Sequence, residues 1–182
     1  GQMHIRRAVG RISVLESSIE EKGGLPPTHI GMAHTRWATH GAPTEVNAHP
    51  HTDDVGRIAL VHNGIIENYA ALKRLLEEKG HKFTSQTDTE VVGHLVAREV
   101  ERGASPVDAV KAVLPRLHGA FALPIMFRSD PDLIIGARLG APLVVGYGED
   151  ENYLGSDASG LAARPGHHVD AALHPCGSMT RD

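Results

Sequence analysis

RIALVHNG, residues 57–64, is the stretch that decides how this chain folds. Its four consecutive apolar residues are typical of a strand buried in a core, and the run stops at Asn63-Gly64, a pair suited to positive φ and tight turning. A helix should follow, since Asn68 is a good N-cap and the apolar residues behind it share one helical face. The sequence predicts a strand, a turn and a helix in immediate succession.

Three other segments carry helical signals. Apolar residues recur at spacings of three and four over 11–21, Thr87-Asp88-Thr89-Glu90 has the form of a capping box, and Ser105-Pro106 places proline at a first helical position. Short apolar runs predict strands at 30–35, 120–127, 133–137 and 142–147. We expect the last three strands to be consecutive and antiparallel. Helices between two groups of strands predict an α+β fold in which sheet packs on sheet.

Composition narrows the function. The chain has 182 residues, a net charge of -4 and no dense Lys/Arg block, so it lacks the electrostatic footprint of a protein that binds nucleic acid or an anionic membrane. Its one cysteine, Cys176, cannot form an internal disulfide, and no secretion signal is apparent, so we expect a cytoplasmic protein. Regular patterning ends near Leu161, which predicts a domain over 1–161 and an irregular tail over 162–182.

Two loops and one helix start carry groups that could bind a charged ligand or stabilise a developing charge. Arg36, with Trp37 and Thr39 beside it, suits bidentate capture of a carboxylate, although a surface arginine stacked on tryptophan is an equal alternative. Asn63-Gly64 could direct an amide and a backbone N–H at a developing oxyanion, but a plain hairpin turn is the commoner use of this pair. Asp88 could pair with an ammonium group, or could only interact with the helix macrodipole.

The histidines suggest a different chemistry. Five of them could in principle bind zinc: His34, His40, His49, His51 and His62. No carboxylate or cysteine stands at a recognised ligand spacing beside them, so loop histidines without a metal are the favoured interpretation. Cys176 has no obvious cationic partner that would make it a nucleophile.

Four motifs occur in order along the chain: GMAHTRWATHG at 31–41, NAHPH at 47–51, VHNGIIEN at 61–68 and TDTEV at 87–91. Together they resemble the glutaminase domain of glutamine–fructose-6-phosphate aminotransferase, also called glucosamine-6-phosphate synthase, which is a class II glutamine amidotransferase. The resemblance runs from the first helix to about Asp157. It implies a four-layer αββα N-terminal-nucleophile hydrolase fold, which here would lack the first strands.

The same resemblance implies roles for the candidate residues. Arg36 and Thr39 would hold the α-carboxylate of L-glutamine, Asp88 its α-amino group, and Asn63 with the Gly64 N–H the oxyanion. Trp37 would help to gate the site and His49 would line it, and His40 falls within the same signature. This interpretation displaces the zinc hypothesis, so we expect neither a metal nor a cofactor.

The family's reaction depends on a cysteine at the mature N-terminus that attacks the glutamine amide. That cysteine has no counterpart in this sequence, so we expect the chain alone to be inactive. The resemblance implies a parent enzyme that makes glucosamine 6-phosphate from fructose 6-phosphate and glutamine, with the sugar phosphate bound by isomerase domains beyond this chain and with a homodimeric assembly. The alternatives are a non-catalytic glutamine-binding module and a histidine-rich zinc hydrolase.

Overall fold

The computed structural model describes residues 2–37, 40–159, 168–170 and 176–179, the last two stretches by their backbone alone. Within these residues there are four α-helices, one 3-10 turn at Leu114–Arg116 and nine strands. The helices are α1 (Ile12–Glu21), α2 (Tyr69–Glu77), α3 (Glu90–Glu101) and α4 (Pro106–Val113). The strands are β1 (His51–Thr52), β2 (Ile58–Leu60), β3 (Asn63–Gly64), β4 (Phe121–Phe127), β5 (Asp130–Leu139), β6 (Val144–Tyr147), β7 (Asn152–Gly155), β8 (His168–Asp170) and β9 (Cys176–Met179).

The strands form two antiparallel sheets. The larger has the order β1-β2-β4-β5-β9, and β3 also pairs with β4, so that β4 lies at its centre. The smaller has the order β7-β6-β8. β2 and β3 therefore pair with successive parts of the same strand, β4. This pairing places Asn63 and Gly64 beside the central strand.

Apolar side chains join these elements into layers. The main core combines residues of α2, α3 and α4 with residues of β2, β4 and β5, so the three helices cover one face of the larger sheet. The smaller sheet approaches the other face at Gly136, where an added Cβ would lie 3.2 Å from side-chain carbons of Leu143 and Leu154. The α+β fold with sheet packed on sheet is confirmed.

Most predicted elements are present, but several expectations need correction. The helices near 11–21, after Asn68 and after Ser105 are confirmed, and the Ser105 hydroxyl accepts the N-capping hydrogen bond from the Asp108 N–H. The strand predicted at 30–35 is wrong, because the described residues offer this run no strand to pair with. The run at 142–147 forms β6, but in the smaller sheet rather than beside β5.

The remaining correction concerns two caps. Asn68 precedes α2 but makes no capping bond; its side chain donates to the Arg116 carbonyl at 2.9 Å and accepts from the His118 N–H at 3.0 Å. Thr87 is not the cap of α3, which begins only at Glu90. The Glu90 carboxylate accepts a hydrogen bond of 2.7 Å from the Ser85 N–H instead of from the Thr87 N–H. The predicted capping box is therefore not formed.

Two strands lie in the segment that we expected to be irregular. β8 pairs with β6, and β9 pairs with β5 over Cys176↔Ala137 to Met179↔Ile134. Backbone pairing at an open sheet edge needs no large apolar side chains, so low hydrophobicity does not preclude it. The division into a domain over 1–161 and a tail stays a prediction. Among the described helices, none has the length and apolar content that crossing a lipid bilayer requires.

Candidate active site

The β3 ladder leaves the Gly64 N–H unused. The Ile65 N–H donates a hydrogen bond to the Ala120 carbonyl, and the Val61 N–H donates one to the Pro124 carbonyl. These two bonds show which residue pairs of the ladder are hydrogen-bonded. Since bonded and non-bonded pairs alternate in an antiparallel ladder, Gly64↔Phe121 is a non-bonded pair and its N–H points away from β4. Gly64 has a φ of 122°, and an added Cβ would overlap the Ala120 carbonyl oxygen, so only glycine fits.

The Asn63 side chain is oriented by His34. The His34 Nε2 donates to the Asn63 Oδ1 at 2.8 Å. Burial lowers the pKa of His34, so its ring is neutral at pH 7 and carries one proton. Because the Asn63 oxygen accepts from His34, its NH₂ group stays available as a donor. Asn63 and Gly64 thus supply two adjacent exposed donors.

Asp88 lies at the entry to α3 and is 3% exposed. Its Oδ2 accepts from the Ile66 N–H at 2.7 Å, which ties the turn after β3 to the start of α3. The other oxygen, Oδ1, has no hydrogen bond within the described residues and lies 4.0 Å from the Nδ1 of His40. One carboxylate oxygen is used to hold the fold, and the second can accept from a cation.

Arg36 lies in a segment without helix or strand. Its guanidinium donates to the carbonyl oxygens of His40, Gly41 and Ala42, and the last two bonds are both 3.1 Å. These bonds occupy three of the five N–H groups that a guanidinium offers, counting only partners in the described stretches. Trp37 is 90% exposed, and Thr39 lies outside the described residues, so its predicted role is untested.

Asn47 connects the arginine segment to the segment that carries Asp88. Its Nδ2 donates to the Ala42 carbonyl at 3.0 Å and to the Gln86 Oε1 at 3.1 Å, while its Oδ1 accepts from the Gln86 N–H at 2.9 Å. Asn47 is 2% exposed. A buried amide therefore fixes the distance between the two candidate subsites.

Neutral histidines lie beneath these groups. The rings of His34 and His49 are 4.2 Å apart and those of His49 and His51 are 4.8 Å apart. Burial, with repulsion from the neighbouring histidines, lowers the pKa of His49 to about 2, and burial lowers the pKa of His51 to about 4. The His51 Nε2 shares a hydrogen bond of 3.1 Å with the Thr87 hydroxyl.

His62 completes this layer. Its Nδ1 shares a 3.0 Å hydrogen bond with the Thr89 hydroxyl and lies 3.9 Å from Asp88. Burial lowers the pKa of His62 to about 4, although the negative charge of Asp88 raises it. The five candidate zinc ligands contribute no set of three ligand atoms within 4.8 Å of one another, as far as the described residues go.

Comparison with known proteins shows the family of this chain. A family model described as "Glutamine amidotransferase domain" matches residues 19–179. The chain belongs to this family. Curated relatives are glutamine–fructose-6-phosphate aminotransferases [isomerizing], including one from Brucella abortus biovar 1 (strain 9-941), 56% identical over 163 residues, and one from Streptomyces coelicolor, 44% identical over 182 residues. These matches cover 89% and 100% of this chain but 26% and 29% of the relatives, so the chain spans about a quarter of their length.

Solved structures agree with this assignment. A glutamine phosphoribosylpyrophosphate amidotransferase from B. subtilis, complexed with ADP and GMP, matches with a TM-score of 0.60. A structure described as the allosteric regulatory enzyme of purine biosynthesis matches with a TM-score of 0.66. Each solved chain is 28% identical in sequence to this amidotransferase chain. Each match covers 82% of this chain and 34% of the solved chain. The predicted N-terminal-nucleophile hydrolase fold is confirmed.

Sequence reasoning missed His34 as a partner of Asn63, and Asn47 and Gln86 as the connection between the subsites. The His34–Asn63 contact spans 29 positions and the Asn47–Gln86 contact spans 39. No local periodicity encodes such pairs, and only the positions inside the recognised motifs marked His34 and Asn47 at all.

Proposed function

We propose that this chain binds L-glutamine and forms the glutamine-hydrolysing part of an enzyme that transfers the amide nitrogen to fructose 6-phosphate. The observation that carries the proposal is the pair of donors at Asn63 and Gly64, one fixed by His34 and the other left free by the β3 ladder. Donors that are fixed before the reaction stabilise a developing oxyanion most effectively.

Glutamine would be held at both ends. Its α-ammonium would pair with Asp88, whose Oδ1 is free to accept, and its α-carboxylate with the remaining N–H groups of Arg36, assisted by Thr39. The side-chain amide would then reach the Asn63 NH₂ and the Gly64 N–H. Trp37 would cover the bound amino acid, and His49 would line the pocket as a neutral ring.

Hydrolysis also requires an atom that attacks the amide carbon. The one cysteine in the sequence, Cys176, has its backbone in β9 opposite Ala137, and we assign it no part in the reaction. We therefore expect the 182-residue chain to bind glutamine while releasing little or no ammonia.

The sugar-phosphate half of the proposal comes from the relatives. These relatives are glutamine–fructose-6-phosphate aminotransferases [isomerizing], and they extend well beyond the matched region. We propose that this chain acts within such a longer enzyme, which would bind fructose 6-phosphate through other domains and would assemble as a homodimer.

Isothermal titration calorimetry tests glutamine binding directly. L-Glutamine should release heat with saturable binding, and D-glutamine, which carries the same groups in the opposite arrangement, should bind far more weakly. Asp88→Asn should weaken binding by about 3 kcal/mol, roughly a hundredfold in Kd, because a buried charge pair is lost.

Asp132→Asn, which changes an exposed aspartate of β5, is the matched control and should leave the Kd unchanged. A folded chain that shows no L-glutamine binding would contradict the proposal. Equal binding by the Asp88→Asn variant would contradict the assigned role of Asp88.

A further inference from the structure

A second polar cluster lies outside the candidate active site. It consists of Asp54 in the turn between β1 and β2, His81 in the connection between α2 and α3, and His94 on α3. One possible ligand atom from each lies within 4.8 Å of the other two, and no other three His, Cys, Asp or Glu residues do so in the described part of the chain. Three separate segments therefore meet at these side chains.

The spacing fits a tetrahedral ion. The Asp54 Oδ2 is 3.2 Å from the Nδ1 of His81, and its Oδ1 is 3.5 Å from the Nδ1 of His94. Ligand atoms at bond lengths near 2.1 Å around a tetrahedral zinc ion lie about 3.4 Å apart. Each Asp54 oxygen therefore lies at about that distance from one ring nitrogen, and Oδ1 also accepts from the Lys82 N–H at 3.3 Å.

His94 supplies the observation that points to a ligand. It is 1% exposed, and neither of its ring nitrogens has a hydrogen bond within the described residues. Its Nε2 lies 3.7 Å from the carboxylate of Glu90, which accepts hydrogen bonds from the backbone and hydroxyl groups of Thr84 and Ser85. A carboxylate that accepts from so many donors is ionised.

Both ring nitrogens of His94 face a carboxylate. Its Nε2 lies 3.7 Å from Glu90 and its Nδ1 lies 3.5 Å from the Asp54 Oδ1, and neither contact is a hydrogen bond. A cation between the Asp54 carboxylate and Nδ1 would give that buried nitrogen a partner, and Glu90 would then orient the ligating ring as outer-shell carboxylates commonly do.

We propose that Asp54, His81 and His94 bind one divalent transition-metal ion of the zinc class, with water as the fourth ligand. Two imidazoles and one carboxylate suit Zn²⁺ and not the all-oxygen preference of Mg²⁺ or Ca²⁺. The ion joins the β1–β2 turn to α3, the helix that follows Asp88. Its role is structural, since glutamine would be held by other residues.

The test is zinc titration of the metal-stripped 182-residue chain by calorimetry. We expect one zinc ion per chain, and a rise in Tm of roughly 5 °C or more at saturating zinc. Asp54→Asn and His81→Gln should each abolish both effects. Asp54 and His81 are more exposed than His94, so these variants should fold, which circular dichroism checks in the absence of metal.

Two matched controls locate the ion. His29→Ala removes an exposed histidine, and His49→Gln removes a ring of the candidate active site; both should retain one zinc ion per chain. Binding that survives Asp54→Asn and His81→Gln, or that is lost in His49→Gln, would overturn the proposal. A folded chain that binds no zinc would overturn it as well.

Discussion

The two walls of the candidate active site are built differently. The sheet wall, formed by Asn63, Gly64 and Asp88, lies on a strand of the larger sheet and at the entry to α3. The arginine segment, residues 31–37 and 40–50, has neither helix nor strand, and its Trp37 is 90% exposed. The groups proposed to act on the amide and the ammonium therefore lie on or beside regular secondary structure, whereas Arg36, proposed to hold the carboxylate, is positioned by hydrogen bonds to the carbonyls of its own segment.

This difference assigns separate tasks to the two walls. Donors for an oxyanion are effective when they need no rearrangement during the reaction, and the sheet wall provides that rigidity. A segment that closes on its ligand can admit the ligand first and cover it afterwards. We infer that substitutions in the sheet wall reduce folding stability, and that substitutions of the more exposed Arg36 and Trp37 reduce ligand binding while leaving stability almost unchanged.

The largest effect should follow Gly64→Ala. The new Cβ would overlap the Ala120 carbonyl at a φ of 122°, so we expect a loss of about 4 kcal/mol in the free energy of unfolding, or roughly 10 °C in Tm. Gly80→Ala is the matched control, because Gly80 also has positive φ but no atom within 4 Å of the new Cβ. It should cost only about 1 kcal/mol. Equal losses in the two variants would contradict the close approach at Gly64.

Acid should destabilise the layer of buried histidines. The pKa of His51 is lowered to about 4 in the folded state, so the unfolded chain, with a pKa near 6.5, binds a proton first. Stability should be flat with respect to this group above about pH 6.5. It should fall by about 1.4 kcal/mol per pH unit as the pH decreases from 6.5 towards 4.

Urea denaturation at a series of pH values measures this slope. His51→Gln should reduce the slope of the unfolding free energy with pH by the contribution of one histidine, about 1.4 kcal/mol per pH unit. His29→Gln, at an exposed position, should leave the slope unchanged. A wild-type slope that persists in His51→Gln would mean that other groups cause the acid sensitivity.

Arg36→Lys should weaken L-glutamine binding by about 2 kcal/mol, or thirtyfold in Kd, because lysine keeps the charge but loses the planar fork. The free energy of unfolding should change by less than about 1 kcal/mol, since the segment lies outside the sheets. Arg74→Lys, an exposed position on α2, is the matched control for calorimetry. Unfolding of the Arg36→Lys variant would show that the arginine segment also supports the fold.

The smallest effect on stability should come from Trp37→Ala. A side chain that is 90% exposed contributes little to the core, so the change in unfolding free energy should stay within about 0.5 kcal/mol. If Trp37 covers the ligand, glutamine binding should weaken by about 1 kcal/mol. A stability loss well above that range, measured by urea denaturation, would show that Trp37 packs against the fold.

The sheet wall and the arginine segment also differ in how far sequence predicts them. The apolar run before Asn63 predicted the strand correctly, because burial of four consecutive apolar residues leaves few alternatives. The less apolar run at 30–35 predicted a strand that is not formed, since pairing depends on a neighbour that a local pattern does not specify.

The site residues show the same limit. The motifs brought Arg36, Asn63 and Asp88 to attention, but their long-range partners could not be predicted. The His34–Asn63 bond spans 29 positions, and the Ile66–Asp88 bond spans 22. Propensity and periodicity report on neighbours within a few residues, so they identify a strand end or a helix start and not what the fold brings against it.

Hydrogen–deuterium exchange with and without L-glutamine tests the contrast between the two walls most directly. The amides of Ile66 and α3 should exchange slowly in both states, because the sheet wall is formed before ligand binds. The amides of residues 31–37, which make no backbone hydrogen bond within the described residues, should exchange fast in the free chain and become strongly protected on binding. Slow exchange of residues 31–37 in the free chain, or protection confined to the sheet wall, would contradict this account.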